Sequence, residues 1–183
     1  MITLIGPDEP TFWAIFATSA EHDDGLPDPL DRWSRRVLTD VANTLGAEPL
    51  FPFGGPPYAP FFTWAKASGR FWASPINFLV HDEAGLFVSF RGALALRDHI
   101  DLPPPPANPC DSCTAQPCRT ACPIGALVPS GYDTARCRAY LGTEGGADSL
   151  QNGCSVRRSC PVSVRFGRLP EQSAYHMQQF KGD

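Results

Sequence analysis

Seven cysteines fall between residues 110 and 160 of a 183-residue chain, and none lies outside that interval. Their order is Cys110-x2-Cys113-x4-Cys118-x3-Cys122-Pro123, then Cys137, Cys154 and Cys160-Pro161. Thiolates at this density suit soft metal centres, zinc or iron–sulfur clusters. The last third of the chain is therefore expected to be organised by metal–thiolate chemistry rather than by an ordinary apolar core.

Three readings of the cysteines compete. Disulfides need an oxidising compartment. The count is odd, and Met1–Asp8 has neither the charged n-region nor the apolar h-region of a secretory leader. A reducing, cytoplasmic setting is the expectation. A zinc knuckle could use Cys110-x2-Cys113, but a four-thiolate zinc site leaves three cysteines idle and makes no demand for two Cys-Pro pairs. Iron–sulfur clusters use more of the pattern, because bacterial ferredoxins end their cluster-binding run with Cys-Pro and send that cysteine to the other cluster.

The resemblance to two-cluster ferredoxins implies a ligand set. A first 4Fe-4S cluster takes Cys110, Cys113, Cys118 and Cys160. A second takes Cys122, Cys137 and Cys154 and lacks a fourth thiolate, since Ser155–Ser159 contains none. Three thiolates admit a 3Fe-4S cluster, or a 4Fe-4S cluster with one iron held by another ligand or left open. They also admit no cluster at all, with the three cysteines packed as small hydrophobes. An open iron could bind substrate or act as a Lewis acid.

The rest of the chain is globular: 43% hydrophobic and 11% aromatic residues suffice for a core. The net charge of −4 argues against a nucleic-acid partner. No run approaches the length of a membrane helix, so no membrane partner is expected. Acidic residues gather early (Asp8, Glu9, Glu21, Asp23, Asp24, Asp28, Asp31), and arginines gather in the cysteine region (Arg119, Arg136, Arg138, Arg157, Arg158, Arg165, Arg168). Cations beside anionic clusters raise the reduction potential; a solvated basic face is the plainer reading.

Pro103–Pro106 and Pro109 read as a semi-rigid linker. The expected division is an α/β platform over 1–102, a linker over 103–109 and a ferredoxin-like cysteine-rich domain over 110–183, an α+β protein overall. Within the platform, residues 9–19 read as a short aromatic helix, followed by an acidic loop. Asp28 is expected as an N-cap with Pro29 at the first helical position. Leu30, Trp33, Val37, Leu38, Val41 and Leu45 then form an apolar stripe, stopped by Gly46. Residues 51–60 form a proline- and glycine-rich loop and 60–68 a short helix. Ile76–His81 and Leu86–Leu96 flank Asp82-Glu83-Ala84-Gly85 as a β-hairpin. In the cysteine region, Asp133–Leu141 is expected as a helix carrying Cys137, and Ser173–Phe180 as an amphipathic segment docking on that domain. The four histidines (His22, His81, His99, His176) show no ligand spacing, and the four tryptophans read as core.

Ala65–Gly69, Asn77–His81, Asp133–Leu141 with Glu144, Gly153-Cys154 and Cys160-Pro161 together resemble the corresponding stretches of epoxyqueuosine reductase. The resemblance covers residues 65–161. It implies a relative of a cobalamin-dependent reductase with two four-iron clusters. The closing motif here lacks the family's middle cysteine, the spacing from Cys113 to Cys118 is longer, and fewer residues precede the cysteines. A shortened relative is the expectation. A family general acid could correspond to Asp31, but that residue reads equally as a carboxylate favoured in the first turn of a helix.

The leading functional expectation is electron transport: single electrons relayed through one or two clusters to a redox partner protein. The alternative is an oxidoreductase in which the platform binds cobalamin or another flat cofactor. No residue pattern assigns a catalytic group, and no feature specifies an oligomeric state.

Overall fold

A computed structural model describes residues 1–128 and 131–182. In chain order the elements begin with β1 (Ile2–Ile5), α1 (Thr11–Ala17), α2 (Ala20–Asp23), α3 (Pro29–Leu45), β2 (Glu48–Leu50) and α4 (Phe61–Ala67). Next come β3 (Phe71–Ala73), β4 (Leu79–His81), β5 (Gly92–Ala95), β6 (Leu127–Val128) and β7 (Gly131–Tyr132). The remainder is helical: α5 (Thr134–Leu141), α6 (Ala147–Asn152), α7 (Ser155–Ser159), α8 (Pro161–Phe166) and α9 (Pro170–Lys181). The chain divides into two compact units, Met1–Arg70 with Ser89–Pro106, and Phe71–Val88 with Ala107–Asp183. This differs from a division at the prolines alone, because Phe71–Val88 joins the cysteines rather than the platform.

In the first unit, β5 is the central strand of an antiparallel sheet ordered β1-β5-β2, with Ile2 opposite Ala95 and Leu50 opposite Ala93. The small residues of β5 let α3 lie close: a β-carbon on Gly92 would meet the Leu38 methyl and approach Leu50 O at 3.1 Å. Helix α3 starts at Pro29 and ends at Gly46, whose left-handed φ of 61° suits a glycine stop. Asp28 precedes it as expected, but its side chain makes no cap bond. Its carbonyl accepts from Asp31 N and Arg32 N instead. The buried stripe is Leu30, Ser34, Leu38 and Ala42. Val41 and Leu45 were expected in it and are exposed (39% and 57%), because the buried face follows the i, i+4 row through Ser34. Ser34 is tolerated there because its hydroxyl donates to Leu30 O (2.7 Å) and accepts from Arg91 Nε (3.0 Å). Arg91 also pairs with Asp31 in the first turn. Phe12 and Phe16 of α1 are buried and meet Trp33 edge-on at 5.5 and 5.8 Å. The early acidic residues are partly neutralised within the unit, Asp24 by Arg32 (2.7 Å) and Glu21 by Arg36 (2.6 Å).

The second unit corrects the expected hairpin. Strand β4 pairs with β3, Phe71 opposite His81, around a turn closed by Ser74 N donating to Phe78 O (2.8 Å). Residues after Gly85 do not pair back along β4, although His81 and Gly85 form one bridge. The reason is local. Phe87 N, which would continue the ladder beyond the His81–Gly85 pair, donates to Ala84 O (3.0 Å) instead, while the Leu86 backbone groups on the other edge are held by α8 and α7, N donating to Ser163 Oγ (2.8 Å) and O accepting from Arg157. The later run forms only β5, in the other unit. His81 is structural, its Nδ1 accepting from Glu83 N and Ala84 N at 3.2 Å each, with Nε2 3.0 Å from Asp82.

The core of this unit is Val80, Leu86, Cys118 and Val156, with Trp72, Phe78, Cys110, Cys122, Cys154 and Cys160 packed around it. Helix α5 forms as expected, and Asp133 caps it by accepting from Arg136 N (2.9 Å). Helix α9 is longer than Ser173–Phe180 and packs on α6 and α5.

Candidate metal centre

All seven cysteines are free thiols, and they collect in two groups. The first draws on three local devices. Asn108 Oδ1 accepts from Cys110 N (3.0 Å), opening a turn in which Cys113 N donates back to Cys110 O (3.3 Å). Cys118 is buried in a 3-10 turn over Pro117–Arg119. Cys160 is extended (φ −69°, ψ 124°) at the junction of α7 and α8, where Pro161 takes the first helical position. Proline suits that position because its missing N–H has no intrahelical acceptor there. The Cys-Pro pair thus aims a thiol from a helix start.

Cys110, Cys113, Cys118 and Cys160 line one cavity of about 330 Å³, whose wall includes Val80, Leu86 and Ser74. Burial pushes the Cys110 thiol up to about 11, and Cys160, Cys118 and Cys113 add to that shift. Burial, Cys160 and Cys113 likewise raise Cys118. Burial and neighbouring sulfurs thus disfavour ionisation of Cys110 and Cys118 without a cation, and a metal centre supplies that positive charge by displacing their protons. Ser74 fits the same reading. It is 5% exposed, it lines this cavity, and its hydroxyl has no hydrogen-bond partner among the described residues. Buried hydroxyls are ordinarily paired.

The second group is Cys122, Cys137 and Cys154. Cys122 Sγ accepts from Ala126 N at 3.2 Å. Cys137 rides on α5. Cys154 precedes α7 and follows Gly153 (φ 92°), where a β-carbon would stand 2.6 Å from Ser173 Cβ on α9. These three thiols line a smaller space of about 30 Å³ with Ile124, Leu141, Ser149, Ser155 and Met177. Burial raises the Cys137 thiol, a hydrogen bond from the Tyr132 hydroxyl counters it, and Cys154 and Cys122 raise it further. Burial, then that same bond, pushes the Tyr132 hydroxyl up. Among the described residues no three His, Cys, Asp or Glu side chains converge tightly enough to hold a single metal ion.

No protein-family model and no solved structure matches the chain. A curated protein, epoxyqueuosine reductase of Leadbetterella byssophila, is 33% identical over 81 residues, 44% of this chain. The chain is distantly related to that enzyme. It spans 26% of the relative's length.

Cys110, Cys113, Cys118 and Cys160 line one cavity, and Cys122, Cys137 and Cys154 line another. Sequence reasoning missed Ser74, Tyr132 and the environment of Arg157. Ser74 and Tyr132 carry no motif, and only the β3–β4 turn and the β6–β7 ribbon bring them to the sulfurs. Asp31, considered as a general acid, lies in the first unit and is engaged by Arg91. Among the described residues no helix is long and apolar enough to cross a membrane.

Proposed function

We propose that this chain is an iron–sulfur electron-transfer protein, with a ferredoxin-like cluster unit and a small α/β platform. The observation that carries the reading is the convergence of Cys110, Cys113 and Cys118 with the distant Cys160 on one cavity of about 330 Å³. A zinc ion needs four ligands at about 2.3 Å from one point, whereas a cluster spreads its thiolates over several irons. Four sulfurs spread around a cavity of this volume suit the second.

A 4Fe-4S cluster at the first site would supply one-electron reduction and oxidation. The residues' part is to hold and tune it. Cys110, Cys113, Cys118 and Cys160 are the ligands. Val80 and Leu86, 1% exposed each, keep water from that wall. The Ser74 hydroxyl is a donor available to sulfur, and such bonds raise a potential by stabilising added negative charge. Cys122, Cys137 and Cys154 are the ligands proposed for a second 4Fe-4S or 3Fe-4S cluster. A redox protein is the proposed partner.

The test is a reductive titration of anaerobically purified protein, followed by visible absorbance and EPR. Reversible one-electron cycling is expected, and a protein with bound iron that cannot be cycled refutes electron transfer. A second reading, a cobalamin-dependent or other cofactor-dependent reductase, rests on the resemblance to epoxyqueuosine reductase. It requires tight cobalamin binding with a spectral change, and absence of binding at high micromolar concentration defeats it.

A further inference from the structure

Arg157 lies on α7, three residues beyond Cys154. In the Cys-x2-Cys spacing this is where another thiolate would stand, and the chain places a cation there instead. The residue as a whole is partly exposed, but its guanidinium is enclosed. It lies over the Phe78 ring, 5.0 Å from the centroid, and donates to Leu86 O. Phe78 in turn meets Tyr132 edge-on at 5.5 Å, and the Tyr132 hydroxyl acts on the Cys137 thiol, lowering its pKa against the effect of burial.

An enclosed charge needs a counter-charge, since taking an ion out of water without one is strongly unfavourable. Arg158, the next residue, has its own: it pairs with Asp148 at the surface. Among the described residues no carboxylate pairs with Arg157. The groups in its electrostatic reach are Cys154 and Tyr132. Neutral thiols offer a guanidinium little, whereas ligated thiolates would offer it the missing negative charge. Burial pushes the Arg157 pKa down and Cys154 works against that, the pattern of a cation placed for an anion.

We infer that Arg157 is the enclosed counter-ion of a cluster held by Cys122, Cys137 and Cys154, and that this guanidinium, with the Tyr132 hydroxyl, sets the second cluster's potential. The inference rests on the iron–sulfur reading and deepens it. Cys122, Cys137 and Cys154 are then working ligands rather than small packed hydrophobes. Reduction adds an electron to the site, so a nearby cation stabilises the reduced form and its removal lowers the potential. Arg157 acts through the thiolates and is a positioning residue. A merely structural role, tying α7 to Leu86 and Phe78, would leave the two potentials in step.

The test is an EPR-monitored redox titration of the full chain, purified anaerobically, as wild type, Arg157→Gln and Arg157→Lys, with iron and sulfide counted in each. The expected result in Arg157→Gln is a lower midpoint for the second cluster with the first unchanged, and recovery in Arg157→Lys. Selective loss of the second cluster in Arg157→Gln, restored by lysine, also supports it. The first cluster's signal reports that the unit is folded. The inference is overturned if both midpoints stay put or move together, if both clusters are lost in both variants, or if the wild type carries only the first cluster. Protein with neither iron nor sulfide defeats the iron–sulfur reading itself.

Discussion

Gly85→Ala is the sharpest probe of how Phe71–Val88 is fastened to the cysteine segment. Gly85 has a φ of 57°, and a β-carbon there would meet Ser163 N, lie 2.6 Å from Ser163 Oγ and 3.0 Å from Ser163 Cα. Two of those atoms are backbone, so the clash cannot be relieved by a rotamer change. The left-handed backbone alone costs about 1–2 kcal/mol for alanine. Forcing α8 away adds about 1–3 kcal/mol, the usual cost of overpacking. Gly125 supplies the control: it lies in the same unit with a φ of 59° and nothing within 4 Å of its β-carbon. Gly125→Ala should therefore pay the backbone cost alone. Urea unfolding of anaerobic protein, followed by far-UV circular dichroism and cluster absorbance, should put Gly85→Ala below Gly125→Ala by about 1–3 kcal/mol. Because Ser163 is three residues from Cys160, cluster release should also be faster in Gly85→Ala. Equal stabilities and equal release rates for the two variants would refute the packing of Gly85 on α8.

Cys113→Ala should abolish the first cluster, removing about four irons; full iron retention in that variant would overturn the ligand assignment. Asp133→Ala removes the cap of the helix carrying Cys137 and should cost about 1 kcal/mol in thermal or urea unfolding, with Asp133→Asn nearly neutral. Ser34→Ala leaves Arg91 Nε without its acceptor and should destabilise the first unit by about 1–3 kcal/mol; a change confined to the second unit's cluster signals would contradict that. Metal-free protein should lose stability as pH rises from about 9, the ordinary thiol value, to about 11, the folded value for Cys110. The folded state binds more protons than the unfolded chain across that window, so raising pH through it favours unfolding. Metal-loaded protein, its thiols already deprotonated, should show no such loss when unfolding is measured across the same pH range.

The backbone around the cysteines was legible in part: Cys160-Pro161 marks a helix start, and Cys110-x2-Cys113 marks a turn. Helices with a strong boundary were legible too, α3 between Pro29 and Gly46 and α5 behind Asp133. What failed was pairing. Asp82–Gly85 has the composition of a hairpin turn and does close a tight turn, but Phe87 N then turns back onto Ala84 O while Leu86 is anchored to Ser163 and Arg157, far away in sequence. No local pattern reports such a competitor. The exposed Val41 and Leu45 have the same origin, since Ser34 is made compatible with burial by Arg91, fifty-seven positions on. Ser74 and Tyr132 were invisible for a related reason: a hydroxyl comes to lie beside these cysteines only through the fold that carries it there.

The most direct measurement is the iron, sulfide and zinc content of anaerobically purified protein, read with EPR of the oxidised and dithionite-reduced forms. The expected result is about seven or eight irons per chain with matching sulfide, four at Cys110, Cys113, Cys118 and Cys160 and three or four at Cys122, Cys137 and Cys154. About four irons would remove the second cluster and leave a one-cluster module. Zinc without sulfide would contradict the electron-transfer function altogether.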